Sequence, residues 1–218
     1  MPLQNRVTPF GEIVSIPQRG LYTGNRGIIH NEQQQIVRPF TLKAWITCTL
    51  KYKNFQRLVM TGRKWTELFF LDEATAFAAG HRPCAFCRNK DFKQFKSHWL
   101  EANKPFFSWP DKQMKTIDLL LHKERMAKQK EKRFESAALS TLPAGTMVAL
   151  NNDTKIACLW YQNKLFKWCI EGYESPVEPK IETEVFVITP ASIVRTFTQG
   201  YEPNVHPSAD IGFEKMGY

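Results

Sequence analysis

Cys84-Ala85-Phe86-Cys87 constrains this chain more than any other stretch of its sequence. Two thiolates separated by two residues can hold one metal ion in a tight turn whose backbone N–H groups point at the sulfurs. Redox pairs share the spacing, but they follow a strand and sit at a helix N-terminus. Here an alanine-rich segment, Gly80 and Pro83 come first, which is the setting of a zinc knuckle. A closed structural zinc site needs four ligands. Cys48, on a strand-like stretch, is the candidate third. His30 and His81 are candidates for the fourth, and His81, so close to Cys84, could instead orient the loop. Cys158 and Cys169 fall in later strands and are expected to pack as core thiols. Zn2+ is the expected cofactor.

The odd total of five cysteines argues against a disulfide framework. The first residues, Met1-Pro2-Leu3-Gln4-Asn5-Arg6, lack the apolar core of a secretory signal. No uncharged apolar run reaches the ~18 residues of a membrane helix. These features point to a reducing, cytoplasmic setting with no membrane partner. The 28 aromatics among 218 residues supply ample surface to bury, so most of the chain should be ordered.

The net charge of +9 is unevenly placed. Residues 1–140 hold 24 basic and 12 acidic side chains, and the last 78 residues hold 6 and 9. Part of the excess lies in residues 123–133, with six basic and two acidic side chains. Such asymmetry suits either a polyanion-binding half or two mutually complementary halves. Basic residues also interleave with aromatics, in Lys51-Tyr52-Lys53-Asn54-Phe55-Gln56-Arg57 with Arg63-Lys64-Trp65, and again over 88–99. Cations on phosphates and rings under bases are how single-stranded or distorted nucleic acid is held. Lys51, Lys53, Arg57, Arg63, Lys64, Arg82 and Arg88 are the candidate contacts to DNA or RNA, with Tyr52 and Phe55 as candidate stacking rings. Nothing in the sequence names a protein partner.

Along the chain, alternation predicts strands over 44–53 and 57–61 and an aromatic strand over 65–71. Asp72 is placed to cap a short helix through Ala79, stopped by Gly80. Asn89 is placed to cap a second helix, with Phe92, Phe95 and Trp99 on one face. A long helix is expected over 111–137, with the stripe Met114, Ile117, Leu121. Beyond Pro143 the period becomes two: strands over 146–150, 155–161 and 164–170, the last two joined at Gln162-Asn163, then 184–188. Thr189-Pro190 reads as a cap followed by proline at the first helical position, and Gly200 as that helix's end. The expected fold class is α+β in two domains. Residues 1–140 form a zinc-binding basic domain with a long helix, and residues 141–218 a small, mostly antiparallel β domain with one helix.

Asp118, His122 and Arg125 share one face of the long helix at i, i+4 and i+7. An Asp orienting a His base, with an Arg for phosphate, would be a hydrolase or nuclease arrangement, so these three are the candidate catalytic residues. The competing account is an interhelical salt-bridge strip. Glu67, Asp72 and Glu73 could add carboxylates for a second metal, though capping and the helix dipole already explain Asp72 and Glu73. His98 and His206 carry no assigned chemistry.

The run Asp72-Glu73-Ala74 through Ala78-Ala79-Gly80-His81-Arg82-Pro83-Cys84-Ala85-Phe86-Cys87-Arg88, preceded by Phe69-Phe70, resembles the second half of the metal-binding domain of Ada-type DNA alkylation-repair proteins. The match spans residues 66–88. Upstream, Gly27-Ile28-Ile29-His30 resembles the family's first cysteine segment with His in the cysteine's place, and Cys48 follows only after a long insertion. The resemblance implies a site of His30, Cys48, Cys84 and Cys87, three thiolates and one imidazole where the family has four thiolates. In the family one zinc-bound cysteine takes a methyl group from a DNA phosphotriester. A histidine in place of one thiolate weakens that nucleophile, so the resemblance implies the fold and the metal but not methyl transfer. Residues 24–125, read as one piece from Gly24-Asn25-Arg26-Gly27 to His122-Lys123-Glu124-Arg125, together with His206-Pro207-Ser208-Ala209, also look like a bacterial family of uncharacterised Ada-like zinc proteins. The function expected is a zinc-binding protein that contacts nucleic acid through its basic half, the metal being structural. The alternatives are the hydrolase or nuclease, and an interaction module whose acidic half covers the basic one.

Overall fold

The alanine-rich segment after Asp72 becomes helix α1 (Glu73–Ala78), and all six of its residues are buried. Asp72 caps it as expected, accepting from the Thr75 N–H at 2.8 Å, and Gly80 leaves it at φ +79. The structure, a computed structural model, describes all residues except 54–58, 63, 108–112, 132–133, 151–152 and 211–218, and excepting the side chains of 128–131 and 153–154.

Around α1 the first sheet is built from β1 (Gln4–Val7), β2 (Ile13–Ser15), β3 (Tyr22–Asn25), β4 (Ile46–Thr49), β5 (Leu68–Phe70) and β6 (Arg82–Pro83). Their order is β2-β1-β5-β3-β4-β6. The β1–β5 and β4–β6 pairs are parallel, and the rest antiparallel. The second sheet holds β7 (Glu135–Ala138), β8 (Thr146–Leu150), β9 (Asp153–Tyr161), β10 (Lys164–Cys169), β11 (Gly172–Tyr173) and β12 (Glu184–Val187). It is antiparallel throughout, in the order β11-β10-β9-β8-β12-β7. Three longer helices, α2 (Asn89–Asn103), α3 (Met114–Glu131) and α4 (Ala191–Thr198), complete the described α+β architecture. None of the described helices is long and apolar enough to cross a membrane.

Small side chains let α1 serve three cores at once. Ala76 and Ala79 pack with Val7, Leu68 and Phe70 of the first sheet and with Ile29 of the loop after β3. Ala74 and Ala78 pack with Met147, Ala149, Leu159 and Phe166 of the second. Phe77 enters a helical core with Phe95, Trp99, Ile117, Leu121, Ile193, Phe197 and Tyr201. Backbones approach this closely only where side chains are methyl-sized, because added volume in a packed core forces neighbours aside.

Several elements match the expected periodicities. Phe95 and Trp99 on α2, and Ile117 and Leu121 on α3, are buried. Gln162 and Asn163 both take positive φ in the β9–β10 turn, as a two-residue hairpin of this twist requires. Gly200 follows α4 at φ +105.

Other elements differ, each for a tertiary reason. The long helix is shorter than 111–137, because residues 135–138 pair with β12 as an edge strand instead of continuing it. The strand expected over 44–53 is confined to Ile46–Thr49; of that over 57–61, residues 57–58 lie outside the described residues and residues 59–61 form no strand, 59 and 60 lying in a turn. Asn89 opens α2 without capping it; its Nδ2 donates to the Ala85 carbonyl at 2.9 Å. Thr189 is not the cap of α4, since its hydroxyl accepts from the Met147 N–H at 2.9 Å and Pro190 occupies the cap position. Cys158 packs in the core with Val148, Trp160 and Val185 as expected. Cys169 instead reaches the rim, its thiol donating to Glu174 Oε1 at 2.9 Å.

Candidate metal centre

Strand register explains why three cysteines far apart in sequence meet. Ile46 and Thr47 of β4 pair in parallel with Arg82 and Pro83 of β6. The next residue on each strand is a cysteine, so Cys48 and Cys84 emerge side by side. The Cys84 N–H is held on the Thr47 carbonyl at 2.8 Å. The chain then turns, with the Arg88 N–H on the Cys84 carbonyl at 3.1 Å, and returns Cys87 to the same point. The Sγ atoms of Cys48, Cys84 and Cys87 all lie within 4.8 Å of one another. The Phe86 N–H points at Cys84 Sγ at 3.4 Å, the backbone-to-sulfur contact of a metal knuckle.

Cys48 and Cys84 are buried, and Cys87 is half-buried. Hydrogen bonds from Cys48 and Cys87 lower the Cys84 thiol to about 2. Hydrogen bonding with Cys84 and Cys87, and then burial, push Cys48 strongly upward. Three sulfurs this close compete for protons, and a soft divalent cation relieves the competition by converting them to thiolate ligands. Their donor chemistry therefore fits a metal ion.

Neither histidine joins the three sulfurs. Thr23 of β3 lies opposite Cys48, and Asn25 opposite Ile46, so the chain leaves β3 heading away from the cysteines. His30 lies beyond that end, its Nδ1 2.6 Å from Thr66 Oγ1. The fourfold set of His30, Cys48, Cys84 and Cys87 is thus reduced to its three thiols, since β3–β4 register carries His30 elsewhere.

His81 is fully buried under Trp45 and Phe70, with ring centroids at 5.1 and 4.6 Å, and accepts from Arg26 Nε at 3.2 Å. Burial first, then the Arg26 and Arg125 charges, hold its pKa well below the usual value. Such a group favours the fold while neutral. Its contribution is complete above about pH 6.5 and is lost at up to about 1.4 kcal/mol per pH unit as pH falls toward the folded value. Urea midpoints measured from pH 7.5 to 5 should therefore drop faster for the native protein than for His81→Gln. Parallel curves for the two proteins would remove His81 as the cause.

The candidate catalytic set does not converge. Asp118 makes a bidentate pair with Arg82, Nε to Oδ1 and Nη2 to Oδ2, both 2.8 Å. Arg125 turns the other way, donating to the carbonyls of Gly80 and Lys43. Its guanidinium lies 4.2 Å from the Trp45 ring centroid, with that of Arg26 at 4.0 Å. His122 packs edge-on to Phe40 at 4.9 Å. Glu67 accepts from the Met60 N–H at 2.8 Å and joins no group of potential metal ligands among the described residues.

Of the candidate nucleic-acid contacts, Lys51, Lys53 and Lys64 are exposed. Arg57, Arg63 and the ring of Phe55 fall outside the described residues. Arg82 and Arg88 point inward, a correction with a clear cause: buried carboxylates claim both. Arg88 Nη2 meets Glu73 Oε1 at 2.5 Å, and Arg88 Nη1 donates to Thr47 Oγ1 at 2.9 Å, beside Cys48. Phe86 is a ring that charge and spacing do not single out. It stands 69% exposed between the two knuckle cysteines, 5.0 Å from Tyr52. Lys53 Nζ sits 5.6 Å from the Tyr52 ring on the same surface.

Asp72 and Glu73 also do more than helix capping foretells. Asp72 Oδ2 accepts from the Tyr173 hydroxyl at 2.7 Å and the His206 N–H at 3.0 Å. Glu73 accepts from the Tyr201 hydroxyl and the Asn204 N–H, both at 2.9 Å. No signal local to these residues announces the pairing, because the partners lie about a hundred or more positions away. Comparisons with protein-family models, curated proteins and solved structures find no match to the chain.

Proposed function

We propose that this is a zinc-binding protein whose metal, held by Cys48, Cys84 and Cys87, stiffens a surface that contacts nucleic acid. The convergence of three thiols on one point carries the reading. Thiolates select soft or borderline ions, and zinc is the redox-inert one that structural knuckles of this kind hold. The ion would lock β4, β6 and the start of α2 together, and zinc's remaining position would take a donor outside the three sulfurs. The likeness of residues 66–88 to the Ada-type metal-binding domain supports the same assignment, as does the surface beside the cysteines. Phe86 and Tyr52 offer rings there, and Lys51 and Lys53 offer exposed cations. Rings for bases and ammonium groups for phosphates are the two needs of single-stranded binding.

The test is binding of a short single-stranded oligonucleotide across a salt series. Affinity should fall steeply with salt, and the double variant Lys51→Glu/Lys53→Glu should weaken binding and flatten the slope by about 1 to 2, near one unit per lost phosphate contact. No binding at low salt would overturn the nucleic-acid reading, and leave the metal to be judged by zinc analysis.

A further inference from the structure

A second recess lies at the opposite end of β3 from the cysteines. It is a cleft of about 510 Å³ lined by Gly27, Ile28, His30, Arg38, Thr41, Leu42 and Trp65. The loop that forms it is pinned rather than loose. The Arg26 carbonyl accepts from both Thr41 and Leu42 N–H groups, at 2.9 and 3.1 Å. The Val37 N–H bonds to the Ile29 carbonyl at 2.9 Å, and the Thr66 N–H to the Gly27 carbonyl at 3.1 Å. Gly27 is required here: it takes φ +97, and a Cβ would stand 1.9 Å from Thr41 Oγ1.

The wall of this built cleft is unusually apolar for a basic surface. Ile28, Leu42 and Trp65 are 39%, 49% and 52% exposed around it. Exposed apolar side chains gathered in one concavity mark a binding surface more often than scattered ones do. Two polar features define what would fit. Arg38 is exposed at the rim and makes no ion pair among the described residues. His30 is a buried part of the lining; Nδ1 is taken by Thr66, while Nε2 is shielded from water and has no partner. An orphaned buried ring nitrogen is costly, and a hydrogen-bonding ligand seated against this wall could relieve it.

We infer that the cleft receives one unpaired nucleobase of a bound single strand. The base packs on Trp65 between the Ile28 and Leu42 side chains, and Arg38 meets the adjoining phosphate. This assignment rests on the nucleic-acid reading above. Charge complementarity selects the occupant: the lining carries the cation Arg38 and no acidic side chain, so an aromatic ligand carrying phosphate fits it better than an aromatic peptide.

The experiment compares the full-length, zinc-loaded protein on two probes, an eight-nucleotide single strand and a strand of equal length and charge lacking all bases. The intact strand should bind about 10-fold or more tightly, the effect of one base on an aromatic ring. Trp65→Ala should remove most of that preference while keeping the native salt slope, and His30→Phe should reduce it. Trp65 is half exposed, so its variant should fold, which circular dichroism checks. Equal affinity for the two strands, or a preference untouched in Trp65→Ala, overturns the cleft assignment and leaves the Lys51/Lys53 surface standing. Failure of both strands to bind overturns both.

Discussion

Cys84→Ser should yield protein that holds almost no zinc, where the native chain should hold close to one ion, and that unfolds far more readily. Cys84 is approached by both of the other sulfurs, Cys48 and Cys87, and by the Phe86 N–H. A serine hydroxyl cannot replace a thiolate for a soft or borderline ion at neutral pH. Where a metal site forms only in the folded state, the ion's binding free energy, on the order of 10 kcal/mol in small zinc modules, contributes directly to folding. The expected loss is thus several kcal/mol, read as a fall in urea midpoint, and a strong chelator should reproduce it in the native protein but add nothing to the variant. Cys169→Ser is the control, since that thiol sits at the rim on Glu174 and should be near neutral. Full zinc content in Cys84→Ser, or no midpoint change on chelation, would defeat the metal assignment.

The second large effect is expected at Arg88→Met. The Arg88 and Glu73 side chains are both 3% exposed and 2.5 Å apart. Removing the guanidinium strands a buried carboxylate, which costs roughly 3–5 kcal/mol. Burial already raises the Glu73 pKa, and the Arg88 charge opposes that rise, so the variant's Glu73 should hold its proton to still higher pH. The sign follows. A folded-state acid with a raised pKa binds protons more tightly than the unfolded chain, so the variant gains stability as pH falls and bears its full cost above the raised pKa. Urea midpoints should therefore separate native and variant widely at pH 8 and less at pH 5. Adding Glu73→Gln should recover much of the loss. Equal separation at both pH values would show that lost packing, not the stranded charge, is responsible.

The two effects meet in one side chain. Arg88 follows Cys87 directly, reaches Thr47 next to Cys48, and shares Glu73 with Tyr201 and Asn204. Metal loss should consequently loosen the attachment of the C-terminal segment as well as the knuckle.

Features governed by near neighbours are legible in the amino-acid sequence alone. The Asp72 cap, the Gly80 and Gly200 stops, and the Gln162-Asn163 turn each follow from one or two residues' own conformational preferences. The faces of α2 and α3 follow from apolar spacing. Charged residues are legible only in part, because a carboxylate on a helix looks alike whether it faces water or a buried arginine. By spacing Asp118 groups with His122 and Arg125 on its own helix, whereas its partner Arg82 comes from a strand 36 positions away. The excess of positive charge likewise overstates the open basic surface. Arg26, Arg82, Arg88 and Arg125 are all buried, on rings, carbonyls or carboxylates.

By itself, then, the sequence determined a paired-cysteine knuckle after a capped, alanine-rich helix, and a second half dominated by antiparallel strands. Those are consequences of local stereochemistry and of periodicity, which act over a few residues. Only the tertiary structure decided which third sulfur joins the pair, since the parallel register of β4 and β6 brings Cys48 to Cys84. The same packing sent His30 to another cleft and bound the C-terminal segment to Asp72 and Glu73. Buried polar groups must find partners wherever the fold brings them, and that choice is made by long-range register and burial rather than by neighbours in the chain.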